Sequence, residues 1–304
     1  MNLSAIAKVG RLLRCKVYLG QPGSTKSEEN CFGGDLKIMN SSKRLRVAVL
    51  TQDDVFVIPR NIALLASSDE VDLVSVVKIE SKGAVSNKGA LFLRGFGLQQ
   101  VAKLTLLLVC KRVLDIVNRL LFFRLPYNTS LRGVAARFEA AYRVTCDPNS
   151  NAFIGSLERD NLDLIVSFSA PIVFGPALLS LPTHGCINLH CSLLPKYAGL
   201  LPSFWALYEG ESIFGATVHM MDAKIDNGAI LGQVTIEFEN TRPSMYDVIK
   251  ITKEKGGQLM TQIVNRIAAG DVEMTPNNVS DTDYRSWPQV SHLREFKASG
   301  GKLI

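Results

Sequence analysis

The sequence predicts an α/β fold built on a doubly wound, mostly parallel sheet with a helical insertion. Short apolar runs recur, "RVAVL" at 46–50, "VDLVSVV" at 71–77 and "GCINLH" at 185–190, each of the kind a strand covered on both faces uses. A helical pattern from Ile58 to Leu65 separates the first two runs, so the order strand, helix, strand opens the chain's main domain. The composition, 47% apolar and 20% charged, is that of a folded chain and excludes a disordered one. Together these features describe a Rossmann-like unit, in which ligands bind beyond the carboxyl ends of the strands.

Residues 1–43 read as a basic extension that is poorly ordered. Lys8, Arg11, Arg14 and Lys16 precede the first acid, Glu28, and no periodicity is sustained. The apolar stretch "LSAIA" is too short for the core of a signal peptide, and Met39 is an alternative start because "MNSSKRLRVAVL" runs directly into the first strand. The main domain is expected over 44–270, with a tail over 271–304 that holds one short helical pattern, "SHLREFK".

An insertion at about 89–126 separates the second strand from the third. From Leu98 to Phe123, Lys111, Arg112, Asp115, Asn118 and Arg119 recur at helical spacing, while Val113, Leu114, Ile116, Val117, Leu120 and Leu121 take the other side. The expectation is an amphipathic helix or helix pair, packed on its own domain with its basic face in solvent. Contact with a membrane surface through 98–123, basic face toward the headgroups, and a homodimer surface are the competing readings. The uncharged run "LTLLLVC" is far too short to span a bilayer.

Further along, a helical pattern at 150–160 leads into a third strand, "LDLIVSFS" at 162–169, and the run at 185–190 is the fourth. Two extended segments, 215–222 and 228–238, are joined by "AKIDN". A Ser-x-x-Asp cap at Ser244 then opens a long helix that runs to Gly270.

The net charge of +6 suits an anionic substrate, an anionic lipid surface or a nucleic acid, and much of it lies in the first 46 residues and in 94–124. Six cysteines form no CxxC pair and no His/Cys cluster at zinc spacing, so no disulfide framework and no metal are expected, and the compartment is a reducing cytoplasm.

Three polar residues stand out. Asn188 and His190 share one side of an extended chain, because side chains alternate along a strand, and Asp226 lies on the loop that the sheet returns to the same end. An amide, an imidazole and a carboxylate suit acyl transfer to an amine: two groups stabilise an oxyanion, and the carboxylate orients the imidazole and takes the amine proton. Ser192 lacks the G-x-S-x-G elbow of a serine hydrolase and reads as a loop hydrogen-bonder, and Cys191 beside His190 reads as structural.

The pattern around these residues, "INLHCSLLPKYAG", then "PSFWA", then "GATVHMMDAKIDNGAIL", resembles the folate-dependent formyltransferase family. The family's motif falls on Asn188, His190, Ser192 to Pro195, Gly199, Pro202, Trp205, Asp226 and Gly228, densely over 185–232 and in order of elements over roughly 45–240. Cys191 stands where the family commonly has proline, and Ala198 where it commonly has arginine, which removes a cation near the acceptor.

The resemblance implies transfer of a formyl group from 10-formyltetrahydrofolate to a primary amine, with Asn188, His190 and Asp226 as the catalytic triplet. It implies a donor slot lined by Phe168, Ser169, Ala170, Pro171 and Ile172 on one side and by Met221, Asp222 and Ile225 on the other. It assigns acceptor contacts to Ser192, Leu193, Leu194, Pro195, Gly199 and Trp205.

Among acceptors, a ribonucleotide amine is disfavoured because Asp53 and Asp54 follow the first strand where a phosphate would nest. A tRNA is disfavoured because only 78 residues follow Asp226 and the basic insertion lacks interleaved aromatics. DNA is not expected. A nucleotide-linked amino sugar is the expected acceptor, with a cytoplasmic location that includes the membrane periphery. A shortened methionyl-tRNA enzyme and a non-catalytic scaffold of the same fold are the alternatives.

Overall fold

The computed structural model describes residues 13–19, 44–54, 57–80, 88–121, 130–238 and 242–304. Among them β1 (Leu13–Tyr18), β2 (Leu45–Thr51), β3 (Val71–Ile79), β4 (Ala141–Thr145), β5 (Leu164–Ser167), β6 (Cys186–His190), β8 (Ile213–Met220) and β9 (Ile230–Phe238) form one sheet. Two short strands, β7 (Ala198–Gly199) and β10 (Tyr284–Arg285), pair with each other.

The order across the large sheet is β1-β9-β8-β6-β5-β2-β3-β4. From β2 the chain winds through β3 to β4, then returns to the other side of β2 for β5 and β6, all five parallel. The winding therefore reverses between β2 and β5, and a crevice opens there past the carboxyl ends. β8, β9 and β1 extend the sheet antiparallel beyond β6.

Alternation along β2 explains why both faces are covered. Val47 and Val49 point into one core with Ile62 of α1 (Ile58–Ala66), with Val134 from the segment after the insertion, and with Met260 and Ile263 further on. Ala48 and Leu50 point into the opposite core with Leu157 and Leu178. All four β2 side chains are wholly buried, so a one-residue slip would exchange the two cores.

The remaining helices are α2 (Lys88–Phe96), α3 (Leu98–Leu120), α4 (Leu131–Arg137), α5 (Asn151–Glu158), α6 (Pro176–Leu179), α7 (Pro202–Tyr208), α8 (Met245–Ala268) and α9 (Val290–Ala298). α8 starts where the sequence places it: Ser244 Oγ accepts from the Asp247 amide and Asp247 Oδ2 accepts from the Ser244 amide. Gly256 lets α8 lie close to the sheet and Gly257 close to α1, since a Cβ would meet Leu189 at 2.5 Å from the first and Asn61 at 2.2 Å from the second.

Two expectations are corrected. Leu13–Tyr18 lies within the extension expected to be poorly ordered, yet it forms β1, registered from Leu13 against Phe238 to Tyr18 against Gln233. The alternation of Leu13, Cys15 and Val17 with Arg14 and Lys16 is the strand signal, masked by attention to charge. The other residues of 1–43 lie outside the described residues, as do 122–126 of the insertion.

The insertion is a helix pair, α2 and α3, broken at Gly97 with φ +84°. Its polar face stands only partly in solvent: Arg112 is exposed, but its described neighbours on that face are not. Lys111 is half-buried, Asp115 and Asn118 are buried, and the apolar side is exposed. The region between the insertion and 150 also holds α4 and β4, which no periodicity announced. The short helical pattern of the tail is α9, whose Leu293 and Phe296 enter an aromatic core with Phe96, Phe204 and Trp205.

Candidate active site

β6 delivers Asn188 and His190 to the carboxyl end of the sheet. Asn188 is registered against Ser167 of β5 on one side and His219 of β8 on the other, and His190 against Thr217. Residues directly opposite on paired strands share a face, so Asn188 and His219 meet. Asn188 Nδ2 lies 3.2 Å from His219 Nε2.

His219 was not singled out in the sequence, although it sits in the quoted "GATVHMMD" segment. Its Nδ1 donates to the Met220 carbonyl at 2.7 Å, which leaves Nε2 as an acceptor for the Asn188 amide. Burial pushes its imidazole below the ordinary value, against the raising influence of Asp226. The 3.6 Å approach of Nε2 to Asp226 Oδ1 is therefore a contact of a neutral ring, not an ion pair. The signal available to sequence reading was the register: once β6 and β8 pair, the residue opposite Asn188 is fixed.

His190 is held from both ends. Nε2 donates to the Tyr197 carbonyl at 2.9 Å, and Nδ1 faces Asp226 Oδ2 at 3.4 Å. A carbonyl can only accept, so Nδ1 is the ring position free to exchange a proton with the carboxylate.

Asp226 sits on a tightly specified loop. Its φ of +52° is left-handed, a conformation uncommon outside glycine and asparagine. Oδ2 accepts from the Gly199 amide at 2.8 Å, and the Asp226 carbonyl accepts from Asn277 Nδ2, also at 2.8 Å. Asn277 reaches Gly228 O at 3.1 Å as well, so a tail residue clamps both sides of Asn227. Gly228 is required by contact: a Cβ there would lie 1.9 Å from the Met220 carbonyl.

The other expected site residues distribute as follows. Phe168 is buried at the end of β5, and Ser169, with φ +113°, carries the chain across to Gln52, whose amide donates to it at 3.3 Å. Ala170, Ile172 and Met221 pack against one apolar cluster, so the two loops face a shared wall; Pro171, Asp222 and Ile225 are exposed. Ser192 Oγ donates to Lys196 O at 2.7 Å, and the Leu194 amide donates to Thr217 Oγ1 at 3.1 Å, which fixes the motif loop.

A cavity of about 400 Å³ opens on the other side of this loop, lined among others by Ser192, Leu193, Pro195, Tyr197 and Glu211. The polar atoms of Asn188, His190 and Asp226 do not line it. Trp205 is turned into the aromatic core, its indole N–H donated to Ser286 O at 3.0 Å. Tyr197 OH lies within 3.0 Å of Glu209 and 2.9 Å of Glu211; burial and these two carboxylates push its hydroxyl well above the ordinary value. Burial likewise holds the Cys191 thiol up, so it is not a thiolate at neutral pH.

Asp53 and Asp54 are both paired, with Arg112 of α3 at 3.5 Å and with Lys253 of α8 respectively. The negative charge expected after the first strand is thus compensated within the chain.

An amide, two imidazoles and a carboxylate converge past the carboxyl ends of a doubly wound sheet, the end at which open α/β folds bind ligands. Residues 135–264 match the family described as Formyl transferase.

A methionyl-tRNA formyltransferase of Agathobacter rectalis is 33% identical over 137 residues, 44% of this chain and 43% of that protein. The chain thus spans less than half the length of such relatives. Glycinamide ribonucleotide transformylase 1 from Symbiobacterium toebii superposes with a TM-score of 0.53 at 15% identity, covering 81% of this chain and 100% of that one. An N-formyltransferase from Helicobacter canadensis, solved in complex with folinic acid and dTDP-3-aminofucose, gives 0.51 at 16% identity over 84% of this chain and 80% of that one. At these identities the likeness to solved structures is one of fold.

Proposed function

We propose that this chain transfers a formyl group from 10-formyltetrahydrofolate to the primary amine of a nucleotide-linked amino sugar. The observation that carries the reading is the convergence of Asn188, His190 and Asp226 at the carboxyl end of β6, one strand from the crevice between β2 and β5.

The donor supplies an activated formyl carbon. The residues present fit its flat pterin: the segments Phe168 to Ile172 and Met221 to Ile225 offer apolar surface beside backbone donors and acceptors left at strand ends. Asn188 spends one amide hydrogen on His219 and keeps the other for a developing oxyanion. His190, anchored through Nε2 to Tyr197 O, presents Nδ1 to Asp226 and carries positive charge when both nitrogens are protonated. Asp226 accepts the amine proton while its other contacts hold it in place.

The acceptor class rests on size and enclosure. The tail residues that pack on α7 fill the surface beside Trp205, and the space past the end of β6 is bounded by the motif loop and the Asp226 loop, a setting for a small molecule. The compensation of Asp53 and Asp54 removes the charge objection to a phosphate-bearing acceptor in general. A methionyl-tRNA acceptor is the second reading, favoured by the identity of the matched segment to such enzymes.

The test is a mass-spectrometric assay with 10-formyltetrahydrofolate against a panel of nucleotide-linked amino sugars and charged methionyl-tRNA. One formyl group gained on a sugar amine, with kcat reduced about 10²–10⁴-fold by Asp226→Asn, is the expected result. Formylated tRNA alone replaces the acceptor; an unaffected Asp226→Asn variant overturns the triplet.

A further inference from the structure

We propose that the exposed face of α3 docks in the plane of an anionic lipid bilayer. The orientation of this helix is unusual for a packed amphipathic element. Its inward side is polar at its carboxyl half: Asp115 is 3% and Asn118 2% exposed, and Lys111 lies against the domain near Asp54, Arg60, Lys250 and Glu254. At its amino half, Val101 and Leu104 touch the aromatic core, and Gln100 Oε1 accepts from the Leu303 amide at 2.6 Å.

Its outward side is largely apolar, interrupted by the exposed Gln99 and Lys103. Leu98, Leu106, Val109, Val113, Ile116, Val117 and Leu120 are all exposed, Leu98 and Leu120 by 75% and 73%. At about 1.5 Å per residue the stripe is about 33 Å long.

Breadth and charge select the occupant. At about 100° per residue, the exposed apolar positions from Ile116 round to Leu114 cover about 160° of the helix circumference, wider than the seam that one partner helix covers. A planar apolar medium meets all of them at once. Between Lys88 and Leu121 the sole acid is Asp115, which is buried, whereas Arg94, Lys103 and Arg112 are exposed. Lys103 lies near one edge of the arc and Arg112, paired with Asp53, beyond the other; from the edge of the arc the long side chain of Lys103 reaches headgroup phosphates while its stem lies along the acyl boundary.

A second copy of the chain would set these cations against each other with no exposed acid on the helix to pair them. No helix among the described residues is long and apolar enough to cross a membrane, so the mode is in-plane. Arg112 pairs with Asp53 just past the carboxyl end of β2, and docking therefore places the bilayer on the same edge of the sheet as the candidate site.

The proposal does not depend on the acceptor or on catalysis, and its test reads neither. The full chain is floated with vesicles of phosphatidylcholine alone or with phosphatidylserine added, and its mass in solution is measured by light scattering. Expected are binding to the anionic vesicles only, loss of binding in the triple variant Leu106→Glu, Val113→Glu, Leu120→Glu, and about 25-fold weaker binding in Arg94→Gln with Lys103→Gln, at about fivefold per cation removed. All five positions are exposed, and thermal melting confirms that the variants fold.

Equal binding to neutral vesicles, or a charge variant that binds like the parent, overturns the anionic surface. A dimer that the triple variant dissociates, without lipid binding, assigns the face to a second copy and overturns the proposal. A monomer that binds neither vesicle overturns it too.

Discussion

Truncating Asn277 to alanine separates the geometry of the candidate site from its chemistry. The side chain is 7% exposed, and its Nδ2 supplies hydrogen bonds to Asp226 O at 2.8 Å and Gly228 O at 3.1 Å. Alanine leaves both carbonyls short of a donor. An unsatisfied buried group costs about 1–3 kcal/mol, and because Asp226 lies near the surface the lower end applies to each, about 2 kcal/mol in all.

The catalytic consequence is larger than the stability change. Asp226 holds a left-handed φ of +52°, a conformation that costs about 1–3 kcal/mol and persists only where its surroundings impose it. Released from Asn277, the loop relaxes, and a displacement of about 1 Å in a catalytic group costs about 10²-fold in rate. The expected outcome for Asn277→Ala is therefore a loss of about 2 kcal/mol in urea denaturation and a fall of about 10²-fold in kcat with acceptor KM little changed. Asn277 never touches a reacting atom in this account, so kcat is the quantity that distinguishes positioning from support. A destabilised variant with parental kcat would refute the argument.

His219→Gln tests the buried neutral imidazole. Burial holds His219 below its ordinary 6.5, so the unfolded chain binds a proton that the folded chain refuses once the pH falls below 6.5. Its stabilising contribution is complete above that value and is lost on acidification, by up to about 1.4 kcal/mol per pH unit; glutamine should flatten the slope, and equal slopes in the two proteins would contradict the assignment. Gly228→Ala forces a Cβ to within 1.9 Å of the Met220 carbonyl, so the base of the β8–β9 connection must part. An overpacking cost of about 3 kcal/mol is expected in thermal melting, and an unchanged Tm would show that the loop yields freely.

The parts of the fold legible in the sequence were those whose pattern is complete within one segment. β2, β3 and β6 are apolar runs covered on both faces, and the Ser244–Asp247 box is a local exchange of two hydrogen bonds. β4 was not legible because it is a five-residue edge strand with exposed or half-exposed side chains throughout, which gives neither alternation nor a run. Asn188, His190 and Asp226 could be singled out because two of them alternate on one strand and the third sits in a loop. His219 and Asn277 required pairing information. One is fixed by the β6–β8 register and the other by a contact across 51 residues.

Charge was the feature read least well, because a sequence gives the sign of each residue but not its partner. Asp53 and Asp54 looked like an obstacle to an anionic ligand, and the cations of the insertion looked like a free surface. The structure joins the two sets: Arg112 meets Asp53, Lys111 is drawn to the region of Asp54 and Glu254, and Lys253 closes on Asp54. That attraction carries a cost for Lys111, whose ammonium is pushed down to about 8 by burial and by Arg60 and Lys250. It also turns the apolar side of α3 outward, where each exposed side chain forgoes about 25 cal/mol per Å² of burial. An arrangement that burdens a lysine and leaves a 33 Å apolar stripe in water, at about 1.5 Å per residue, is consistent across levels only when the stripe has a surface to meet. The vesicle experiment therefore tests the orientation of α3 as well as its occupant.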